Sequence, residues 1–492
     1  MQLVSSRNNK KTVRPAEAIV QGLSKDGGLF VPCNFPKFTL KEIAALGEKS
    51  YSGQAAFIAA PFLPDFSHEE LSAFAALAYK NFPAEAAPVV SLDAKTHILE
   101  LFHGPTFAFK DFALQFLPHL LTASLKKLDA NKTAIILAAT SGDTGSAALK
   151  GFSGVNGTKI CVFYPHGGVS NIQKLQMTTQ SDKSLKVIGI RGNFDDAQSG
   201  VKNIFNDASL ANSLNEKGYI LSSANSINWG RIVPQIVYYF SAYAGLVKSG
   251  KAAPGDPMNV VVPTGNFGNI LAAYYAKKSG LPIRKLICAS NQNNVLTDFI
   301  NCGIYDKNRI FHATVSPSMD ILISSNLERF LFDLYSQDSE KTKCLMSSLS
   351  QTGRFEIAAE AKKTMQAVLQ AGYASDSETL SAIKSIWNEF NYLSDTHTAV
   401  ALKVHREYMK ETGDNTPALI VATASPFKFA DSTLSALGIT GTGNDFDRLA
   451  KLSEISGIKI PSSLAALAEK EEHHKIICCP NEMKTQLLGW LG

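Results

Sequence analysis

Five short runs in the chain are apolar through their centres, and each closes on a turn: TAIILAAT (133–140), KICVFYP (159–165), NVVVPT (259–264), KLICAS (285–290) and ALIVATAS (418–425). A strand with one wet face alternates apolar and polar residues. A run apolar throughout suits a strand covered on both faces of a parallel sheet. Between these runs apolar residues recur at helical spacing, so the order strand, loop, helix repeats and predicts an α/β fold with helices on both sides of the sheet. Ligands of such sheets bind beyond the carboxyl ends of the strands. The loops that follow these runs are therefore the places to search for chemistry.

Residues 1 to about 90 have a different texture. EAIVQGL and the alanine-rich stretch 54–79 carry helical spacing, and KDGGLFVPCNFP between them reads as a turn-rich loop. Residues 300–395 read as mainly helical elaboration. A chain of 492 residues exceeds one ordinary core, so two or three domains are expected. With 45% hydrophobic and 18% charged residues the composition is that of a soluble globular protein. A formal charge of +5, with no basic block, argues against nucleic acid as a partner. No apolar stretch is long enough to predict a membrane span. The 7 cysteines are scattered and form no CxxC pair, as expected for free thiols in a reducing compartment. MQLVSSRNNKKTVRP has no signal-peptide apolar run, so the cytoplasm is the expected location.

Four segments carry candidate chemistry. In HGPTFAFKDFALQFLPHLL (103–121), Phe109, Phe112, Ala113, Phe116, Leu117, Leu120 and Leu121 form a helical stripe, with Pro118 bending the helix or marking an early turn. Lys110 lies near the helix start among Phe107, Phe109 and Phe112, where the helix dipole and apolar surroundings both disfavour a cation. A neutral amine is what Schiff-base chemistry needs. The plain alternative is a solvated lysine paired with Asp111. TSGDTGSAALKGF (140–152) follows a strand and opens a helix near Ser146. Its turn gathers amides and the hydroxyls of Thr140, Ser141 and Thr144, as a carboxylate or phosphate nest would, although an ordinary capped turn reads the same way. PTGNFGNILAAYYAKKSG (263–280) is a second such turn, with Gly265 and Gly268 in GxxG spacing and Asn266, Phe267 and Asn269 filling it. GxGxxG and GK[ST] are both missing, so it is neither a dinucleotide fingerprint nor a P-loop. ATASPFKF (422–429) offers the hydroxyls of Thr423 and Ser425 at another strand end.

Together with KDGGLFVP, SSANSINWGRIVPQ, PSMDILISSNLER and THTAV, these segments resemble the threonine synthases, in the long form found in fungi and many bacteria. The resemblance spans most of the chain. It implies two parallel-sheet α/β domains of the pyridoxal phosphate (PLP) fold-type II class, with an extra, mainly helical N-terminal domain. The expected boundaries are 1–92 for that domain, 93–128 with 230–492 for the large domain, and 129–229 for the small one. It implies pyridoxal 5'-phosphate as cofactor, Lys110 as its Schiff-base residue and catalytic base, Gly265, Asn266, Phe267 and Asn269 around the cofactor phosphate, and Thr423 facing the pyridine nitrogen. Ser141, Asp143 and Thr144 are expected at the substrate carboxylate. Asp143 itself would repel that carboxylate, so it is expected to take backbone hydrogen bonds and shape the turn.

The implied reaction takes O-phosphohomoserine, a small anionic amino acid, to threonine by γ-elimination and β-hydration. Arg231 is the candidate for the leaving phosphate, ahead of Lys174 and Arg191. Another lyase of the same fold, such as a serine or threonine dehydratase or a phospho-lyase, and an inactive PLP-binding homologue remain as alternatives. The oligomer is expected to be a monomer or homodimer. His474 and Cys478 lack a second pair to complete a metal site, so no metal is expected. His103 is read as a structural or site-lining histidine. Asp395, Thr396 and His397 lack a serine placed with them and are read as a helix start, with Asp395 or Thr396 as cap.

Overall fold

All five apolar runs are parallel strands in the computed structural model, which describes residues 1–441 and 443–492. Three belong to a six-stranded sheet with the order Leu369–Tyr373, Ile283–Ser290, Met258–Pro263, Ala418–Ala422, Thr96–Glu100, Val89–Ser91. Only Val89–Ser91, at the edge, runs antiparallel to its neighbour. The other two lie in a five-stranded, all-parallel sheet with the order Ile477–Cys478, Leu185–Ile190, Thr158–Pro165, Thr133–Ala139, Tyr219–Ser223. Val260, Val261 and Val262 in one sheet, and Ile135, Ile136 and Leu137 in the other, are all fully buried. Successive residues point to opposite faces, so both faces of each sheet are covered, which is why the runs do not alternate.

The N-terminal segment holds the expected helices, Pro15–Gln21, Leu40–Ala45, Tyr51–Ala59 and His68–Tyr79. The last starts in a capping box: the Ser67 hydroxyl accepts from Glu70 N, and the Glu70 carboxylate accepts from Ser67 N. It also holds a small antiparallel sheet, ordered Asn8–Val13, Leu3–Ser5, Phe30–Pro32, whose short strands carry too little pattern to be read from sequence. The end of the loop-like KDGGLFVP is one of them. The 20-residue helix Trp229–Lys248 lies almost wholly buried between this segment and the large sheet, with Trp229, Tyr238, Tyr239 and Phe240 in a core cluster shared with Phe62 and Phe112. Among the described residues no helix is long and apolar enough to cross a membrane.

Two placements differ from the sequence reading. Leu369–Tyr373, inside the stretch read as helical, adds an edge strand to the large sheet; Gln370 and Gly372 break its apolar pattern. The C-terminal stretch, assigned with 230–492 to the large domain, returns to the smaller sheet. Ile477–Cys478 pairs with Leu185–Ile190, and Met483 and Leu487 join the core of Ile188, Ile190 and Val201. A two-residue strand leaves no periodic signal.

Helix Lys110–Leu114 from the large unit and helix Asp143–Phe152 from the small unit touch at Gly151. A methyl group there would lie 2.0 Å from the Leu114 carbonyl oxygen. Backbone cannot yield as a side-chain tip can, so Gly151→Ala is expected to lower stability by about 1–3 kcal/mol. Urea unfolding of the variant against the parent protein measures it.

Candidate active site

The Lys110 loop is sewn to the end of the central strand Ala418–Ala422. Phe109 N donates to Thr423 O at 2.9 Å, Ser425 N donates to Phe107 O at 3.1 Å, and Ala108 and Ala424 form an antiparallel bridge. Phe107 takes a left-handed backbone, φ 62°, which a bulky residue adopts only under local constraint. Lys110 then opens the helix Lys110–Leu114, and a second helix, Leu117–Lys127, starts with Pro118 in its first turn. Asp111 does not pair with Lys110. It is fully buried and accepts from Thr106 N and Oγ1 at 2.8 and 2.7 Å. Burial pushes its carboxyl up to about 6, against the pull of the Thr106 bonds.

The partner of Lys110 is Asp143. Lys110 Nζ lies 3.6 Å from Asp143 Oδ2, with its side chain 14% exposed, and 3.5 Å from Ser318 Oγ, which itself donates to Asp143 Oδ2. On the other side of the carboxylate, Lys428 Nζ sits 2.7 Å from Asp143 Oδ1 and also donates to Thr106 O, with no exposed side-chain surface. Gln173 Nε2 donates to Oδ1 as well. Asp143 thus opens its helix as the centre of an ion cluster, and the expectation that it would gather backbone hydrogen bonds is not met. The helix starts at Asp143, not near Ser146. Burial pushes the Asp143 carboxyl up, but Lys428 and Lys110 overcome that and hold it well below the ordinary range. For Lys110 burial pulls the pKa below the ordinary lysine value, the attraction of Asp143 opposes it, and Lys428 and Arg231 add to the lowering.

The turn after Met258–Pro263 faces the same region. Phe267, φ 61°, caps the helix Gly268–Lys278. Among the described residues the amides of Gly265, Asn266, Phe267 and Gly268 donate to no protein acceptor. The Phe267 ring packs in the core against Phe330, so only its backbone serves the turn. The Asn269 side chain points beneath the turn, its Oδ1 accepting from Tyr238 and Tyr239 hydroxyls while Nδ2 is buried without a partner. Arg231 is buried, donates from Nη1 to Ala224 O, and leaves Nε without a partner. Burial lowers it to about 10, and among the described residues no carboxylate pairs with it. Thr423 is buried at the strand end, its carbonyl spent on Phe109.

A largely shielded amine with a lowered pKa, a helix-start turn with unspent amides and a buried guanidinium without a carboxylate partner fit pyridoxal phosphate: the turn suits its phosphate and Lys110 its aldehyde.

Three family profiles cover the chain: "Threonine synthase N terminus" over residues 2–79, "Pyridoxal-phosphate dependent enzyme" over 78–424, and "Threonine synthase, C-terminal" over 398–485. A threonine synthase of Pseudomonas aeruginosa is 36% identical over 485 residues, 98% of this chain and 96% of its own length. The chain belongs to the threonine synthase family. The PLP-bound threonine synthase of Brucella melitensis superposes over 100% of this chain and 98% of its own, with a TM-score of 0.88 at 37% identity. The human "Threonine synthase-like 1" is 43% identical over 436 residues; the match takes in 86% of this chain and 58% of the human protein.

Set against this threonine synthase family fold, the structure gathers Lys110, Asp143 and Arg231 and places Gly265–Asn269 and Thr423 at strand ends beside them. Ser141 and Thr144 stand partly exposed on the turn and first helical turn, with hydroxyls unbonded to protein among the described residues. Lys174 is taken up by Glu472 at 3.0 Å and Arg191 is exposed, which leaves Arg231 as the buried cation of the three. His103 pairs with Glu100. Lys428 and Ser318 are the residues that sequence reasoning missed. Lys428 follows the ATASP turn by two residues, in a stretch apolar but for itself, which is the same signal that singled out Lys110.

Removing one member of a buried ion cluster leaves an uncompensated charge. Lys428→Met is expected to lose about 3–5 kcal/mol of stability, and adding Asp143→Asn to it should recover part of that loss. Denaturant unfolding of the two single variants and the double variant tests the coupling.

Proposed function

We propose that this protein converts O-phospho-L-homoserine and water to L-threonine and phosphate. The observation that carries the reading is the position of Lys110 Nζ: largely shielded from solvent, with its pKa lowered chiefly by burial, and set between Asp143 and Ser318. When bound, pyridoxal phosphate supplies the electron sink for the carbanion chemistry. Lys110 would hold the aldehyde and, once free, take the proton from Cα; a proton also leaves Cβ as phosphate departs from Cγ, water adds at Cβ, and protons return to Cγ and Cα. Each time the amine gains a proton, Asp143 Oδ2 is the counter-charge at 3.6 Å. Lys428, on the opposite oxygen, keeps Asp143 ionised, so the carboxylate does not compete for the proton being moved.

The amides of 265–268 would hold the cofactor phosphate. Thr423 would offer the pyridine nitrogen a hydroxyl in place of a carboxylate. The 141–144 turn receives the substrate carboxylate through the hydroxyls of Ser141 and Thr144, with Asp143 turned to the lysines beneath. Arg231, without a carboxylate partner, meets the departing phosphate dianion. Another lyase reaction on this fold is the second reading, since the name of the 43%-identical human relative, threonine synthase-like, does not itself state the threonine-forming reaction.

Purified protein with cofactor should release phosphate and L-threonine in equal amounts from O-phospho-L-homoserine; a 2-oxo acid from serine, threonine or the phospho-substrate would instead assign a dehydratase or phospho-lyase. Lys110→Ala is expected to lose the absorbance of covalently held cofactor together with all turnover, and threonine formation by that variant would refute the assignment. For Arg231→Gln, kcat/KM should fall about 10- to 100-fold, as expected on losing a charge-assisted contact.

A further inference from the structure

The segment 314–320 crosses the site without belonging to any strand or long helix. Its Ser318 hydroxyl lies between Lys110 and Asp143, and its Ser318 carbonyl forms the wall of the 264–268 turn, where a methyl on Gly265 would stand 2.9 Å from that oxygen. Asp320 anchors the far side, accepting from Thr314 N and Oγ1 and from the side-chain amides of Asn291 and Asn293. At Ser318 itself the backbone N–H donates to His397 Nε2 at 3.2 Å, while the flanking backbone is held by Asn291 Nδ2 on Ser316 O, by Val315 N on Asp376 Oδ1 and by Met319 N on Ser316 O.

His397 is fixed in turn. Its Nδ1 is 2.7 Å from Asp395 Oδ2, which also accepts from His397 N at 2.9 Å, and both side chains are buried. The Phe429 ring lies edge-on to the imidazole at 4.8 Å. A carboxylate beside Nδ1 places the proton there, and Nε2 is then a lone-pair acceptor, as the amide of Ser318 requires. We infer that Asp395 and His397 are positioning residues of this site: they fix the Ser318 backbone and so set its hydroxyl against Lys110 and its carbonyl against the phosphate turn. The role of a helix cap, which Asp395 also fills by accepting from Thr398 N, does not account for the link from His397 to Ser318.

The consequence for turnover rests on the proposed function; the hydrogen bond itself does not, so the two are tested apart. In apoprotein, amide exchange of the segment 314–321 is followed by mass spectrometry in three variants. Asp395→Asn keeps a competent helix cap but offers an N–H to the imidazole, which moves the imidazole proton to Nε2 and faces it against Ser318 N–H. His397→Phe keeps the ring stack and removes the acceptor, whereas His397→Gln keeps a carbonyl acceptor. Exchange at 314–321 is expected to rise roughly tenfold in the first two and less in the third, with the strands 258–263 and 418–422 unchanged. In cofactor-loaded enzyme, kcat should fall at least about tenfold in Asp395→Asn and His397→Phe while KM moves less, and His397→Gln should restore part of it. Unchanged exchange at 314–321 in both damaging variants overturns the inference, as does faster exchange with kcat intact. A parent protein that makes no threonine, yet shows the exchange differences, would sink the proposed reaction and leave the positioning of Ser318 standing.

Discussion

A carboxylate cannot remain ionised in a dry interior unless cations and donors surround it, and Asp143 meets that requirement by drawing in four distant parts of the chain. Lys110, Gln173, Ser318 and Lys428 all reach it. The arrangement is lopsided in a useful way. Lys428 holds one oxygen at 2.7 Å, and Lys110 stands off the other at 3.6 Å. Two ammonium groups sharing one carboxylate repel each other, and Lys428 is among the charges that lower the Lys110 pKa. One buried lysine thereby acts on the lysine proposed to hold the cofactor.

The backbone shows the same subordination of comfort to placement. Two phenylalanines, Phe107 and Phe267, adopt left-handed conformations, one shortly before Lys110 and the other immediately before the helix that opens on Gly268. Each costs about 1–2 kcal/mol relative to an ordinary backbone. Each persists because its neighbours over-determine it: Phe107 through its carbonyl bond to Ser425 N, and Phe267 through a ring locked in the core.

Much of this was legible in the sequence because the signals are local. The apolar runs at 133–140, 259–264 and 418–425 announce strands by themselves, and a lysine among phenylalanines at a helix start is conspicuous. The residues that were not legible act over long separations. Lys428 reads as a charge in an aromatic stretch until Asp143 is seen beside it. Ser318 gains meaning from Lys110, 208 positions away, and His397 from Ser318, 79 positions away. Asp143 was placed in the right turn with the wrong partners, because the nearest candidates in sequence were backbone amides and the actual ones were lysines from elsewhere. The cap assigned to Asp395 is present, yet the same carboxylate has a second task that no local pattern encodes.

The return of the C-terminal stretch to the smaller sheet has a further meaning for how the protein is made. Strand Leu185–Ile190 receives its outer neighbour, Ile477–Cys478, only after the long stretch of chain between them has emerged from the ribosome. Until then its edge presents unpaired amides and carbonyls beside apolar Ile188 and Ile190, a template for any other extended segment nearby. The sheet therefore stays open along this edge until residues far downstream of it have been made, and the helix around Met483 and Leu487 then helps to close it.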